Sequence, residues 1–239
     1  MNTIFQEKIK RLRLEETVFI FDFDGTINKK YNGTTKTPSI ISIFRNENIL
    51  NEEYSKQAHA LMSTYQPIEL DPSIPLETKI QKMEEWWQKH IQLLIKHKLS
   101  RKSIREVSYH KSLIIRDGIV DLFSFAKDAQ IPVIIFSASG TGFDSIRFFL
   151  ERHNILFENV TIISNQFEYK DEIVTSYISP LIHALNKDEN VLKLFPEINK
   201  KLLERKDVLL FGDSINDVNM ILDRNHNQVI RVGLLNEKD

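Results

Sequence analysis

Residues 18–26 join a short apolar segment to a pair of carboxylates. The segment Val18–Phe21 is β-branched and aromatic and too short for a helix, so it predicts a buried strand. Asp22 and Asp24 follow it, and alternation along an extended backbone turns both side chains to the same side. Two carboxylates this close repel each other unless a cation or a shared proton relieves them. The segment predicts a metal site, a shared proton or both, with a solvated Asp-Gly turn as the alternative.

The second half of the chain alternates between apolar runs and amphipathic segments. We predict helices at Gly118–Ala129 and Phe143–His153, and strands at Pro132–Phe136, Val160–Ser164, Val208–Phe211 and Val229–Leu235. Such alternation is typical of the α/β class, with a parallel sheet covered by helices on both faces. The carboxyl ends of the strands then meet at one edge, where open α/β folds bind their ligands.

The segment before residue 117 carries helical patterns and hardly any strand signal. Asn51 is a candidate N-cap for a helix that reaches Tyr65. Three prolines are expected to interrupt the chain after it: Pro67, Pro72 and Pro75. This block separates the first strand from the rest of the sheet. It predicts an inserted helical cap at residues 37–116, with a core formed by residues 1–36 and 117–239.

Two more helices are predicted inside this block. The first spans Leu76–Lys98, with Trp87 on its buried stripe and Trp86 turned about 100° away from it. The second begins near Ser103, whose spacing to Glu106 fits a capping box. A short amphipathic helix is also expected before the first strand, at Thr3–Leu14.

Composition restricts the partners and the chemistry. The formal net charge of −1 gives no reason to expect attraction to nucleic acid polymers or to an anionic membrane. The absence of cysteine excludes disulfides, thiolate nucleophiles and cysteine-ligated metal centres. No apolar run reaches the roughly 18 residues of a membrane span, and Met1–Leu14 is too charged for a signal-peptide core. We expect a soluble, cytoplasmic protein, whose oligomeric state remains unknown.

Further polar groups lie at two predicted strand ends and at one lysine that follows no predicted strand. They are Ser137–Gly140, Lys187 and Gly212–Asp217. Together with Asp22–Thr26 they resemble, in order, the four motifs of the haloacid dehalogenase (HAD) superfamily: Asp-x-Asp-x-Thr/Val, a strand-end Ser/Thr, a Lys, and Gly-Asp-x-x-x-Asp. The resemblance implies a Rossmann-like core.

A narrower resemblance, to the cytosolic pyrimidine 5′-nucleotidase family, extends from about Phe19 to Asn236. It is carried by Tyr65–Pro72, Glu85–Trp87, Ile135–Ala138, Ser164-Asn165, Leu181–His183 with Asn186-Lys187, and Gly212–Ser214. This resemblance implies that a helical cap covers the site and selects the nucleoside.

The carboxylates are assigned different roles. An ionised carboxylate can attack phosphorus, so Asp22 is the predicted nucleophile. Asp24 can protonate the ester oxygen and then deprotonate the water that hydrolyses the aspartyl-phosphate. Mg²⁺ is the expected cofactor, because it prefers oxygen ligands and retains waters. Asp22 and Asp213 are predicted ligands, and the resemblance adds the main-chain carbonyl of Asp24. Asp217 is assigned to the metal set, with a charge at a helix start as its alternative.

Phosphate binding is assigned to the second and third motifs. Ser137 and the amides of Ala138 and Ser139 can hydrogen-bond phosphate oxygens at a helix N-terminus; an ordinary serine-rich loop is the alternative. Lys187 would neutralise charge on the phosphoryl group. That assignment depends on the resemblance, because a single lysine is usually a solvated surface residue.

Base recognition is assigned to the cap. Glu69 can accept from an exocyclic amine or from the imino edge of a methylated guanine, and the resemblance implies that it contacts the base; a salt bridge within the cap is the alternative. Trp86 is the predicted stacking platform. His90 stands where relatives often carry Ser and is also assigned to the base, although such a histidine is more often structural.

These assignments predict an Mg²⁺-dependent nucleoside 5′-monophosphate phosphohydrolase that acts on a small-molecule nucleotide through an aspartyl-phosphate. Pyrimidine nucleotides are the leading substrates. Three alternatives stay open: a nucleoside phosphotransferase, a HAD phosphatase for another small phosphoester, and a phosphate-binding protein without catalysis.

Overall fold

The structure is a computed structural model that describes residues 3–236. Its strands are β1 (Thr17–Phe21), β2 (Tyr31–Asn32), β3 (Thr35–Lys36), β4 (Val133–Phe136), β5 (Val160–Ile163), β6 (Gln166–Lys170), β7 (Ile173–Ile178), β8 (Asp207–Gly212) and β9 (Gln228–Gly233). Its α-helices are α1 (Thr3–Lys10), α2 (Ile40–Asn46), α3 (Glu52–Leu70), α4 (Leu76–Lys96), α5 (Arg101–Ser108), α6 (Ile119–Asp128), α7 (Gly142–Arg152), α8 (Glu189–Leu192) and α9 (Pro196–Glu204).

A five-stranded parallel sheet forms the centre of the fold, in the order β5-β4-β1-β8-β9. The central strand β1 pairs with β4 on one side and with β8 on the other. The predicted α/β class with a parallel sheet is therefore confirmed. Because β1, β4 and β8 run in the same direction, the residues that follow them meet at one edge of the sheet.

Alternate residues of β1 serve two different cores. Phe19 and Phe21 pack on the face that carries α6 and α7, while Val18 and Ile20 pack against residues of α9 on the other face. The Phe21 ring stacks on Phe211 of β8, with ring centroids 4.3 Å apart. Both faces of the strand are buried, which explains why it reads as a continuous apolar run.

Helices α2–α5 lie in the chain between β3 and α6, and none of the five sheet strands comes from this stretch of the described chain. Helices α3 and α4 pair antiparallel, since the side chain of Lys96 contacts Gln57 while that of Lys79 reaches the carbonyl of Glu69. The division into core and cap remains a prediction. Among residues 3–236, no helix combines the length and apolarity that a bilayer span requires.

Three helix boundaries differ from the prediction by about one turn. Helix α1 ends at Lys10 rather than at Leu14. Helix α3 continues through Pro67 to Leu70, because a proline near the end of a helix removes only one late hydrogen bond and packing against α4 holds the turn. Helix α5 begins one turn earlier than predicted. Ser100 is its N-cap, and Ser103 occupies the third helical position of the capping box.

Candidate active site

Lys187 lies between two carboxylates at the edge of the sheet. Its Nζ is 2.5 Å from Asp22 Oδ1 and 2.7 Å from Asp217 Oδ1. All three side chains are buried. Asp22 follows β1 directly, whereas Lys187 comes from the loop between β7 and α8. The fold therefore brings together residues that are 165 positions apart in the sequence.

The environment raises the pKa values of both Asp22 and Lys187. Burial raises the pKa of Asp22 to about 7, although the charge of Lys187 acts to lower it. Burial alone would lower the pKa of Lys187, but the charges of Asp22 and Asp217 outweigh that effect and raise it. The lysine is therefore a buried cation held by carboxylates. Buried charges of this kind need such partners.

Asp24 is held by a neighbour in its own loop. Asn28 Nδ2 donates to Asp24 Oδ1 at 3.2 Å, and Asn28 Oδ1 accepts from the amide of Gly25 at 2.7 Å. Burial raises the pKa of Asp24 against the lowering effect of the Asn28 hydrogen bond. A carboxyl group with a raised pKa can hold a proton at higher pH and release it to a leaving group.

Asp213 approaches the first motif closely from the end of β8. Gly25 has a φ of +75°, and a Cβ at that position would collide with the Asp213 carboxylate. Only glycine suits both the conformation and the space. Asn236 Nδ2 donates to Asp213 Oδ2 at 3.0 Å, while Lys30 Nζ lies 3.4 Å from the same oxygen.

The acidic residues fit a hard divalent cation. One carboxylate oxygen from each of Asp22, Asp213 and Asp217 lies within 4.8 Å of the others. An all-oxygen set of this kind suits Mg²⁺. The second oxygen of Asp217 accepts from the amides of Asp213 and Ser214, at 3.2 and 2.9 Å. Asp217 therefore also holds the loop that carries Asp213.

The loop after β4 completes one wall of the site. Ser137 is buried and follows the strand directly. The Ser139 hydroxyl lies 3.1 Å from Thr141 Oγ1 and 3.2 Å from Ser145 Oγ, so its side chain is tied into the start of α7. Asn165 Nδ2 donates to the carbonyls of Ser139 and Ile182, at 3.1 and 2.8 Å. This contact joins the loop to the segment that leads to Lys187.

Three cavities meet at Asp24. The acidic cavity, of about 360 Å³, contains Asp22, Ser137, Ala138 and Lys187 in its wall, together with Asp213 and Asp217. The aromatic cavity, of about 270 Å³, is lined by Tyr54, Trp86, Trp87 and His90 and reaches Ala138–Gly140. The basic cavity, of about 770 Å³, is lined by Lys29, Lys30, Lys36 and Arg45.

The residues assigned to the base divide between these cavities. Trp86 and His90 line the aromatic cavity. Glu69, at the end of α3, instead lines the acidic and basic cavities, and burial raises its pKa. Burial lowers the pKa of His90 to about 4, so its imidazole is neutral at physiological pH. Trp87 is only partly buried and borders both the aromatic and the acidic cavities, contrary to the buried position predicted for it.

Sequence reasoning missed three polar residues at the site: Asn28, Arg45 and Asn165. Nothing in the local sequence marks Asn28 as a partner of Asp24, and Asn165 is identified only as part of the resemblance. Arg45 belongs to α2 and borders both the aromatic and the basic cavities. A local pattern does not reveal such roles, because each depends on contacts with distant segments.

Comparisons with known proteins agree with this architecture. The sequence model of the family described as pyrimidine 5′-nucleotidase (UMPH-1) matches residues 25–239, starting directly after Asp24. A Xenopus laevis protein named 7-methylguanosine phosphate-specific 5′-nucleotidase A is 31% identical over 238 residues, covering 98% of this chain and 81% of that protein.

Two solved structures resemble this fold. Cytosolic 5′-nucleotidase IIIB bound to cytidine superposes with a TM-score of 0.83 and 29% identity, covering 96% of this chain and 77% of the other. A HAD family hydrolase from Salmonella enterica shares the fold, with a TM-score of 0.56 and 17% identity over 88% of this chain and 60% of the other. This chain belongs to the pyrimidine 5′-nucleotidase (UMPH-1) family and is a 5′-nucleotidase with the HAD fold.

Proposed function

We propose that the protein is an Mg²⁺-dependent phosphohydrolase of nucleoside 5′-monophosphates that acts through an aspartyl-phosphate on Asp22. The observation that supports this most strongly is the wall of the acidic cavity. It combines Asp22, Lys187 and Ser137 with further carboxylates, beside an aromatic cavity that reaches the same loop. The proposed nucleophile, phosphate-binding group and base-stacking surface therefore line two neighbouring cavities, which share Asp24, Trp87 and Ala138.

The proposed reaction has two halves. In the first, a carboxylate oxygen of Asp22 attacks phosphorus while Asp24 gives its proton to the departing 5′-oxygen of the nucleoside. In the second, Asp24 takes a proton from water, whose oxygen attacks the phosphorus and releases inorganic phosphate and free Asp22. The raised pKa of Asp24 suits the first half, and Asn28 orients its carboxyl group.

Phosphate binding is proposed for Lys187, the Ser137 hydroxyl and the amides of Ala138 and Ser139. Lys187 already lies beside the nucleophile and can offset charge on the transferring phosphoryl group. Asp22, Asp213, Asp217 and the main-chain carbonyl of Asp24 would hold Mg²⁺. Its charge would favour the ionised form of Asp22 and screen the incoming phosphate.

Base recognition is proposed for residues 37–116, which act as the cap. Trp86 offers a stacking surface, His90 lies in the same cavity, and Glu69 can accept from an amino or imino group. The cytidine in the structural relative supports a pyrimidine, and the name of the Xenopus laevis relative supports a methylated guanine.

A cytoplasmic location is also proposed for this chain. The structural relative is named a cytosolic 5′-nucleotidase, which supports this location.

Replacing the nucleophile tests the proposal. Asp22→Asn keeps the shape of the side chain but removes the attacking oxygen anion, so we expect kcat to fall by at least about 10³-fold. Phosphate release from cytidine and guanosine monophosphates measures this, with and without a chelator. Wild-type activity is expected to disappear in chelator and to return with Mg²⁺. Acid-quenched wild-type enzyme is expected to show the added mass of a phosphoryl group, which the variant lacks.

A matched control separates this effect from a general loss of folding. Asp121→Asn changes an exposed aspartate of α6 in the same way and should retain the wild-type rate. Hydrolysis by Asp22→Asn at the wild-type rate would refute the assignment of the nucleophile. Full activity in chelator would refute the assignment of the metal.

A further inference from the structure

Within the described part of the chain, four buried polar atoms around the aromatic cavity have no hydrogen-bond partner: Arg45 Nε, Tyr54 Oη, Trp87 Nε1 and His90 Nε2. Buried polar groups in folded proteins are normally paired. Four unpaired atoms around a single cavity indicate that a polar ligand belongs there. The arginine and tryptophan nitrogens can only donate, and the tyrosine hydroxyl can also donate. The cavity therefore suits a ligand that supplies acceptors.

Arg45 also gives this cavity a permanent positive charge. Within residues 3–236, its side chain has no hydrogen bond and no carboxylate at ion-pair distance. Its guanidinium remains protonated at any ordinary pH. The other cations of the basic cavity include Lys29, which pairs with Asp117 at 2.8 Å, and Lys30, which pairs with Asp213. Arg45 differs from both, because no acidic side chain among the described residues pairs with it.

The rest of the cavity wall does not compensate this charge. Asp24, at the phosphoryl end, is the one carboxylate among the residues that line the aromatic cavity. His90 is neutral and adds no charge. Glu69 does not line this cavity; it lines the acidic cavity and the basic cavity, the second of which Arg45 also borders. A base that stacks on Trp86 would therefore meet a guanidinium without an opposing carboxylate in the same wall.

We propose that the aromatic cavity binds an uncharged base with carbonyl or ring-nitrogen acceptors, and that Arg45 excludes a positively charged, N7-methylated purine. The inference rests on the proposed function and adds the choice of base. Cytosine and uracil offer a carbonyl at position 2, and unmethylated guanine offers O6 and N7 to an arginine. Methylation at N7 removes one acceptor and adds a positive charge, which Arg45 repels.

The proposal predicts that this enzyme prefers cytidine monophosphate to 7-methylguanosine monophosphate. The Xenopus laevis relative, in contrast, is named for the methylated nucleotide. Wild-type enzyme should have a kcat/KM for cytidine monophosphate at least about tenfold above that for 7-methylguanosine monophosphate. Arg45→Met removes the charge at similar length and should shift that ratio by about tenfold or more toward the methylated substrate. Arg45→Lys keeps the charge and should retain the discrimination against it.

Nucleoside binding tests the same point without turnover. Trp86 and Trp87 are the two tryptophans of the chain and both line the cavity, so quenching of tryptophan fluorescence reports its occupancy directly. Titration with cytidine and with 7-methylguanosine, in mildly acidic buffer where the methylated base is cationic, gives the two Kd values. Arg45→Met should tighten 7-methylguanosine relative to cytidine by about tenfold.

Lys56→Met is the matched control, because it removes an exposed cation of α3 that lines none of the three cavities. It should leave the ratio of Kd values unchanged. Tighter binding of 7-methylguanosine than of cytidine by wild type, or an unchanged ratio in Arg45→Met, overturns the inference. Loss of turnover without a change in these Kd values would refute the proposed reaction but leave this inference standing.

Discussion

Lys187 has a structural role in the buried site as well as the phosphate-binding role proposed for it. Its ammonium group contacts Asp22 and Asp217, and the oxygens of these two residues and of Asp213 cluster within 4.8 Å. Without a cation, buried carboxylates at this spacing would destabilise the folded state. The lysine therefore stabilises this group of carboxylates, and its charge lies where we propose that the phosphoryl group binds.

Lys187→Met tests this stabilising role. Breaking a buried ion pair leaves an uncompensated charge, so we expect the free energy of unfolding to fall by about 3–5 kcal/mol in chelator. The loss should shrink as pH falls, because protonation neutralises the remaining carboxylates. Mg²⁺ should recover part of it by replacing the missing charge. Urea unfolding curves with and without Mg²⁺ measure both effects.

An exposed lysine gives the comparison for that experiment. Lys200 is largely solvent-exposed and lies 3.8 Å from Glu204, so Lys200→Met should change stability by less than about 0.5 kcal/mol. Equal stability of Lys187→Met and wild type in chelator would show that the buried contacts contribute nothing.

At the residue scale, sequence and structure differ in what they can reveal. Asp22 and Asp213 were predictable, because each follows an apolar run that marks the end of a strand. Lys187 follows no strand, so only the resemblance identified it. Arg45 had no local signal, since an arginine on an amphipathic helix is normally solvated. The role proposed for it depends on a cavity that forms only when α2 packs beside α3 and the loop after β4.

The helix pair α3–α4 carries Trp86, the proposed stacking surface for the base. The Tyr65 hydroxyl donates to Glu85 Oε1 at 2.6 Å and accepts from Lys89 Nζ at 2.8 Å. Its ring stacks on Trp86, with centroids 5.8 Å apart and an angle of 12° between the planes. Tyr65 thus links the two helices and supports the indole that borders the aromatic cavity.

Two substitutions of Tyr65 separate the hydroxyl from the ring. Tyr65→Phe keeps the stack and loses the hydrogen bonds, so we expect a loss of about 0.5–1.5 kcal/mol in unfolding free energy and an unchanged Kd for cytidine. Tyr65→Ala removes the support for Trp86 and should raise that Kd by about tenfold, besides destabilising the fold by about 3 kcal/mol or more. Fluorescence titration and urea unfolding measure the two quantities. Wild-type affinity in Tyr65→Ala would exclude a positioning role for the ring.

Element boundaries were less predictable where the usual signals are missing. The hairpin β6–β7 was not predicted, because its two-residue turn consists of Asp171 and Glu172, both at positive φ (50° and 64°). Such turns normally carry Asn-Gly or Asp-Gly. The opposite error occurred at Pro67, where a strong breaker lies inside a helix. In both cases tertiary packing outweighs the local preference.

At the scale of the whole molecule, one ion-pair network joins two parts of the fold. The inserted helices, α2–α5, come between β1 and the other sheet strands in the chain, and the network ties them to the sheet layer, meaning the sheet and the helices packed on it. Asp144 of α7 accepts from Arg101 of α5 at 3.3 Å and from Arg147 at 2.9 Å. Arg101 also pairs with Glu172 in the β6–β7 turn at 2.8 Å. The network therefore connects α5, α7 and the β6–β7 turn, all of which lie away from the acidic cavity.

Low pH should weaken the ion pairs of Asp144 and so destabilise the fold. Burial acts to raise the pKa of Asp144, but the hydrogen bonds and charges of its neighbours, including Arg147 and Arg101, outweigh it, and the pKa is lowered. A carboxylate whose pKa is lower in the folded state stabilises the fold fully above the unfolded pKa, near 4. This contribution is lost as the pH falls through the folded pKa.

Asp144→Asn removes the titrating group and tests this account. The Tm of the variant should lie below that of wild type near neutral pH, and the gap should narrow below about pH 4, as the wild-type carboxylate becomes protonated. Asp128→Asn, an exposed change at the end of α6, should leave the Tm close to wild type throughout. A gap that stays constant across the pH range would mean that packing, rather than the charge of Asp144, joins the inserted helices to the sheet layer.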